Sequence, residues 1–250
     1  MTLQRLLSLV RSAVQEYDMI SCGDRVAVGV SGGKDSLVLL ASLARLSQFY
    51  PQTFTVEAFT VDMGIEGMDL SPIQSFCDEL GVPCHIIPTQ INKVIFETRK
   101  EKNPCALCAK MRKGSLHEAI LAEGFHKVAL GHHYDDAVET FFLSLFYEGR
   151  LSCFHPVTYL DRADVTQIRP LLYVSESMVR DATKRLDLPV VHNPCPADGN
   201  TKRQEVKDLI AELEERYPKL KEYVFSSMQR LPLPNWAPME LKRRPPTEEV

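Results

Sequence analysis

Residues 25–30 read Arg-Val-Ala-Val-Gly-Val and run directly into Ser31-Gly32-Gly33-Lys34-Asp35-Ser36. A β-branched run that meets paired glycines and continues into Leu37, Leu40, Ala41 and Ala44 predicts strand, tight turn and helix in that order. The glycines let the backbone approach a ligand with no side chain in the way. The free N–H groups and positive dipole end of the following helix favour phosphate. Lys34 adds a point charge, and Ser31 and Ser36 add hydroxyl donors. The motif is not a Walker A loop. Three residues separate Gly29 from Gly33 where that pattern has four, and Asp35 stands where Ser or Thr would bind magnesium.

The rest of the chain keeps this alternation. Strands are predicted at 25–30, 54–61, 84–87 and 127–130, with a shorter one near 167–169. Helices are predicted to start near Asp35, Ser71, Cys108, Asp135, Ser175 and Thr201, and Leu3, Leu6, Leu7, Val10 and Val14 keep helical spacing ahead of the first strand. This pattern implies an α/β fold: a doubly wound, mostly parallel sheet with helices on both faces. Ligands of such sheets sit beyond the carboxyl ends of the strands. The Ser31–Ser36 loop, Val61-Asp62-Met63-Gly64 and Gly131-His132-His133-Tyr134-Asp135-Asp136 all fall there, so three candidate segments share one rim. The expected division is an N-terminal helix (1–20), a main domain (21–216), and a C-terminal helix with a proline-rich tail (217–250). Five prolines in the last twenty residues exclude a long helix and suggest a draped or mobile extension.

Composition narrows the function classes. Of the 250 residues, 44% are hydrophobic and 25% charged, as in an ordinary globular protein long enough for one large α/β domain with an appendage. The apolar stretches are short and interrupted, so no membrane span is expected. Arg5 and Arg11 interrupt the first leucines, unlike a signal peptide, and a cytoplasmic location is expected. The net charge of −4 means that any nucleic-acid contact must use local basic patches. Candidates are Arg99-Lys100-Glu101-Lys102, Lys110-Met111-Arg112-Lys113, Lys202-Arg203 and Lys242-Arg243-Arg244. An odd seven cysteines argue against a disulfide framework and leave metal binding or catalysis for some of them.

Cys105-Ala106-Leu107-Cys108 places two thiols on a turn that opens a helix, where Lys110, Arg112 and Lys113 favour thiolate. Cys195, in the proline-braced His192-Asn193-Pro194-Cys195-Pro196, is the natural distant partner. Three cysteines with no evident fourth suit an iron–sulfur cluster with one open iron, whereas His192 would complete a Cys3His zinc site. Spacing leaves the two even. Cys22, Cys77, Cys84 and Cys153 have no comparable context, and Cys77 and Cys84 read as small buried hydrophobes. Asp135 and Asp136 open a helix, so either one caps it or a carboxylate there holds magnesium or moves a proton, with Asp136 the stronger candidate. His132 and His133 read as packing or capping residues. Asp62 ends a strand, where it meets a ribose or a metal or is an exposed loop acid.

These segments together resemble a known family. Ser31–Ser36 resembles the PP-loop of ATP pyrophosphatases, which cut ATP between the α and β phosphates. Residues 23–36, Cys105–Cys108 followed by Lys110–Gly114, Gly131–Leu151, Gln167–Val174 and a late cysteine before a basic helix resemble, in that order, the tRNA 2-thiocytidine synthetase family of PP-loop ATPases. The resemblance implies an adenine nucleotide alpha hydrolase-like sheet and a cytoplasmic tRNA sulfurtransferase, commonly a homodimer, that uses ATP, Mg2+ and a 4Fe-4S cluster. Carried over, the cluster ligands are Cys105, Cys108 and Cys195. ATP contacts Gly29, Ser31, Gly32, Gly33, Lys34, Asp35, Ser36, Val61, Asp62, Met63, Gly131 and Asp136. Lys34 clamps phosphate, Asp136 handles magnesium or a proton, and Arg112 steadies AMP or tRNA. Sulfur comes from sulfide or a donor protein. The segment after Cys195 departs from the pattern of the best-known members, which leaves the target base less fixed than the reaction. The alternatives are another PP-loop adenylating enzyme, for amidation or lysine ligation on tRNA, and a non-catalytic nucleotide- or redox-binding protein.

Overall fold

The computed structural model describes residues 2–99, 104–191, 195, 202–230 and 236. Its strands are Asp24–Gly29 (β1), Phe54–Asp62 (β2), Cys84–Pro88 (β3), Lys127–Ala129 (β4), Val157–Leu160 (β5) and Val165–Ile168 (β6). They form one sheet in the order β3-β2-β1-β4-β6-β5. Every pairing is parallel except β5 with β6, an antiparallel hairpin at the edge. The helices are Leu3–Glu16 (α1), Lys34–Leu46 (α2), Ser71–Leu80 (α3), Ile91–Lys93 (α4, continued by a π-helical turn), Pro104–Ala122 (α5), Tyr134–Leu143 (α6), Glu176–Arg185 (α7), Lys202–Arg216 (α8) and Leu220–Arg230 (α9). The doubly wound reading holds. β1 and β4 are neighbours in space but far apart in sequence, and the strand order reverses between them, which opens a crevice at their carboxyl ends.

Alternation along β1 feeds two cores. Val26, Val28 and Val30 join the large core with α1, α2, α6 and α7, while Ala27 joins a smaller one with Phe59, Ile120, Phe125 and Val128 under α5. α2 is apolar nearly all round, with Leu37, Val38, Leu39, Leu40 and Leu43 fully buried, as befits a helix between the sheet and a second helix layer. The 1–20 segment is not a separate unit in packing: Leu6, Val10, Ala13 and Val14 sit in that same large core. In the proline-rich tail, Trp236 is buried 5.8 Å from the Phe225 ring, and its carbonyl accepts from Tyr17 Oη at 3.3 Å. The five tail prolines lie outside the described residues.

Two elements differ from the sequence pattern. The helix predicted from near Cys108 already begins at Pro104, so both cysteines ride its first turns. β5 was not predicted: it is a four-residue edge strand whose Tyr159 is 57% exposed, too short for a clear period of two.

Gly131, just past β4, lets the start of α2 lean against the β4 exit. A Cβ there would stand 3.1 Å from the Asp35 carbonyl carbon and 3.2 Å from the Ser36 nitrogen. Gly131→Ala is therefore expected to destabilise the chain by about 1–3 kcal/mol through overpacking. Urea denaturation with an unchanged midpoint would contradict that close approach.

Candidate active site

The loop between β1 and α2 holds itself together. Ser31 N–H donates to Ser36 Oγ at 3.1 Å, and that hydroxyl donates on to the Gly33 carbonyl at 2.9 Å. Gly32 has φ +81°, and a Cβ on it would stand 3.0 Å from Val191 Cβ. Val191 N–H also donates to the Gly32 carbonyl at 3.0 Å, so the segment that leads to Cys195 is laced to the loop.

A cavity of about 430 Å3 opens beside the loop at the crevice. Of the expected nucleotide contacts, Gly29, Ser31, Asp35, Ser36, Val61, Gly131 and Asp136 line it, as does Arg112. Gly32, Gly33, Lys34, Asp62 and Met63 do not. The Lys34 ammonium is turned to Asp35 at 3.2 Å and to Glu176 at 3.5 Å. Burial works against that charge, but Asp35 and Glu176 outweigh it and hold Lys34 above the ordinary lysine range. Asp62 accepts from the Gly64 N–H at 2.9 Å, which shapes its own turn. Met63 faces α5, with its sulfur 3.8 Å from Cys108 Sγ.

Cys105, Cys108 and Cys195 do not line the cavity, but the first two share a helix face with residues that do. Cys105, Cys108, Ala109, Arg112, Lys113 and Leu116 recur in steps of three and four along α5, and the last four line the cavity. The Cys108 thiol is pushed up by burial; Arg112 lowers it, and Cys195 and Cys105 each raise it further, which places both thiols in its neighbourhood. Among the described residues no three His, Cys, Asp or Glu converge on a single ion. A tetrahedral zinc with ~2.3 Å bonds needs sulfurs only about 3.8 Å apart, a closer set than a four-iron cube requires. His192, the alternative zinc ligand, lies outside the described residues.

Both acids of the Gly131–Asp136 segment have structural partners. Asp136 completes a capping box: its carboxylate accepts from His133 N–H at 2.9 Å, and its own N–H donates to His133 Nδ1 at 3.3 Å. The other Asp136 oxygen meets Arg203 at 3.4 Å. Asp135 turns away from the cavity. It accepts from Glu176 N–H at 2.7 Å and pairs with Lys221 at 3.0 Å, tying α6 to α7 and α9. His133 caps as expected, whereas His132 lines the cavity, where burial first and Arg169 second lower it to about 4. Asp35 Oδ1 is buried without a hydrogen-bond partner. His133 Nε2 stands 3.6 Å from that oxygen, and with Asp136 on the same cavity the two carboxylates would suit a magnesium ion.

Comparison with known proteins identifies the family. A family described as a PP-loop domain matches residues 5–213. A tRNA-cytidine(32) 2-sulfurtransferase of Pelobacter propionicus is 36% identical over 91% of this chain and 86% of its own length. One from Pseudomonas putida is 37% identical over 96% and 87%. The chain belongs to the tRNA 2-thiocytidine synthetase family of PP-loop proteins. Among solved structures, the U34-tRNA thiolase NcsA from Methanococcus maripaludis with its 4Fe-4S cluster superposes with a TM-score of 0.74 at 27% identity, over 89% of this chain and 76% of that one. An NH3-dependent NAD synthetase from Campylobacter jejuni shares the fold alone, at 19% identity and a TM-score of 0.50, over 92% and 94% of the two chains.

In this 2-thiocytidine synthetase homologue, sequence reasoning missed the groups that brace the loop. Glu176 binds Lys34, Lys207 at 2.8 Å and Arg180 at 4.0 Å, and only its place after the Ser175 cap hinted at a role. Arg203 spans Asp136 and Glu139 from α8. Gln167 and His117 floor the cavity, joined at 3.0 Å.

Burial would raise Glu176, but Lys207, Lys34 and Arg180 hold it at about 2, well below its ordinary value. Its contribution to stability is therefore complete above about pH 4.5 and is lost as pH falls towards 2. Glu176→Gln is expected to flatten the stability–pH curve in that window, read by urea denaturation at stepped pH. An unchanged curve would remove Glu176 from the bracing.

Proposed function

We propose that this chain is an ATP-dependent tRNA sulfurtransferase that adenylates a pyrimidine carbonyl oxygen, at C2 of a cytidine, and exchanges that oxygen for sulfur. The observation that carries the reading is a shared helix: the phosphate loop forms one wall of the cavity and α5 another, and Cys108 and Cys105 stand one and two turns before Arg112 on that same helix. The names of the curated relatives support the base, and the thiolase neighbour supports the cofactor. tRNA is the macromolecular substrate, with sulfide or a sulfur-donor protein as the second, in a cytoplasmic homodimer.

A carbonyl oxygen is a poor leaving group, so it must first become an ester. The pyrimidine oxygen attacks the α-phosphorus and pyrophosphate departs. The loop N–H groups, Ser31 and Ser36 receive the charge that builds on the phosphates. Lys34 joins them by exchanging Glu176 for phosphate. Asp35 and Asp136 are the carboxylates that would hold magnesium, which when bound would offset charge on the leaving pyrophosphate. Arg112 steadies the α-phosphoryl group from α5. A sulfur nucleophile then adds at C2, and AMP leaves with the original oxygen. A 4Fe-4S cluster on Cys105, Cys108 and Cys195 supplies, when bound, an iron without a protein ligand that can present sulfur.

Single Ser replacements of these three cysteines are expected to drop sulfur transfer to background while ATP affinity stays at the wild-type level, measured by nucleoside mass spectrometry and calorimetry. Pyrophosphate release that the triple variant retains in full, with no thiolated nucleoside from either protein, would favour a PP-loop ligase or amidase instead. Anaerobically reconstituted protein carrying zinc but no iron or labile sulfide would overturn the cluster.

A further inference from the structure

Arg169, directly after β6, is 6% exposed and takes no part in the steps above. Its Nη1 donates to the His155 carbonyl and to Thr158 Oγ1 (3.3 Å), and its Nη2 to Gln167 Oε1 (3.5 Å), whereas Nε has no partner. The guanidinium also lies over the Phe154 ring, 4.9 Å from its centroid. Buried cations ordinarily face an acid. Among the described residues the acidic group that acts on Arg169 is the Cys153 thiol, which burial pushes up to about 12 and so keeps neutral.

The imbalance extends to the cavity wall. Lys113 and His132 line the cavity, and both feel the positive field of Arg169. Arg112 lines the same space. Asp136 is the carboxylate that reaches His132, and Arg203 already holds it. This side of the crevice, built from α5 and β6 rather than from the phosphate loop, is short of one negative charge.

We propose that Lys113, backed by Arg169, forms a second phosphate subsite in the cavity. The Lys113 ammonium donates to the phosphoryl oxygens, and Arg169 supplies fixed positive charge behind it. The phosphoryl group comes either from AMP or from the RNA backbone beside the target base. The inference rests on the proposed function for naming these two sources.

The test uses the full chain with Lys113→Met, Arg169→Met and Arg169→Lys, and with AMP and tRNA as separate probes. A subsite for AMP weakens AMP affinity by about tenfold in both Met variants and leaves tRNA affinity unchanged. A subsite for RNA instead weakens tRNA binding and lowers its log K–log salt slope by about 1. Arg169→Lys restores most of the loss in either case. Should Arg169→Met fail to fold, Lys113→Met decides, because that side chain is exposed and braces nothing in the core. Folded Lys113→Met with wild-type affinity for both probes overturns the proposal. These are binding measurements, so a chain that thiolates no base yet loses AMP affinity keeps the subsite while the sulfurtransferase reading fails.

Discussion

The pairing of β1 with β4, Val26 opposite Lys127 through Val28 opposite Ala129, is the constraint on which the site depends. Two strands separated by about half of the domain lie side by side, and the chain leaves them in different directions. Their carboxyl ends therefore cannot be covered by a connecting helix, and backbone N–H groups stay available there. Gly29 and Gly131 stand at these two ends, with room for no Cβ: at Gly29 one would meet Leu116 and Leu130 at 3.2 and 3.3 Å. Gly131 lets backbone approach backbone, and Gly29 makes room for the Leu116 and Leu130 side chains.

Around that crevice the second helix layer is fastened by charge rather than by apolar contact alone. Glu176 joins α7 to Lys34 of α2 and Lys207 of α8, Asp135 joins α6 to Lys221 of α9, and Lys221 also reaches Glu214 at 2.7 Å. Half-buried pairs of this kind add modest net stability, since desolvation offsets much of the attraction. Their larger effect is geometric: each fixes the direction of a helix end that faces the nucleotide loop.

The strand–helix alternation, the shared rim and the loop were legible in the sequence because β-branched runs ending in glycine specify strand, turn and helix locally. Residue context singled out Cys105, Cys108 and Cys195, but the choice of cluster over zinc came only through the family resemblance, since spacing alone left the two equal. The bracing carboxylates were not legible. Asp135 and Asp136 are adjacent and chemically alike, yet one faces α7 and the other the cavity, a difference set by helix phase. Glu176 and Gln167 acquire their roles from Lys34, Lys207 and His117, dozens to more than a hundred positions away and beyond any local pattern.

Trp236 has a consequence for how the molecule is made. Its carbonyl takes the Tyr17 hydroxyl, and its ring fills space beside Phe225 and Phe154. Tyr17 leaves the ribosome among the first residues and must wait for a group 219 positions later before its pocket is sealed. Until then the apolar pocket between Tyr17, Phe154 and Phe225 lacks its filling ring, a surface that a chaperone or a neighbouring chain would find before the protein's own tail arrives.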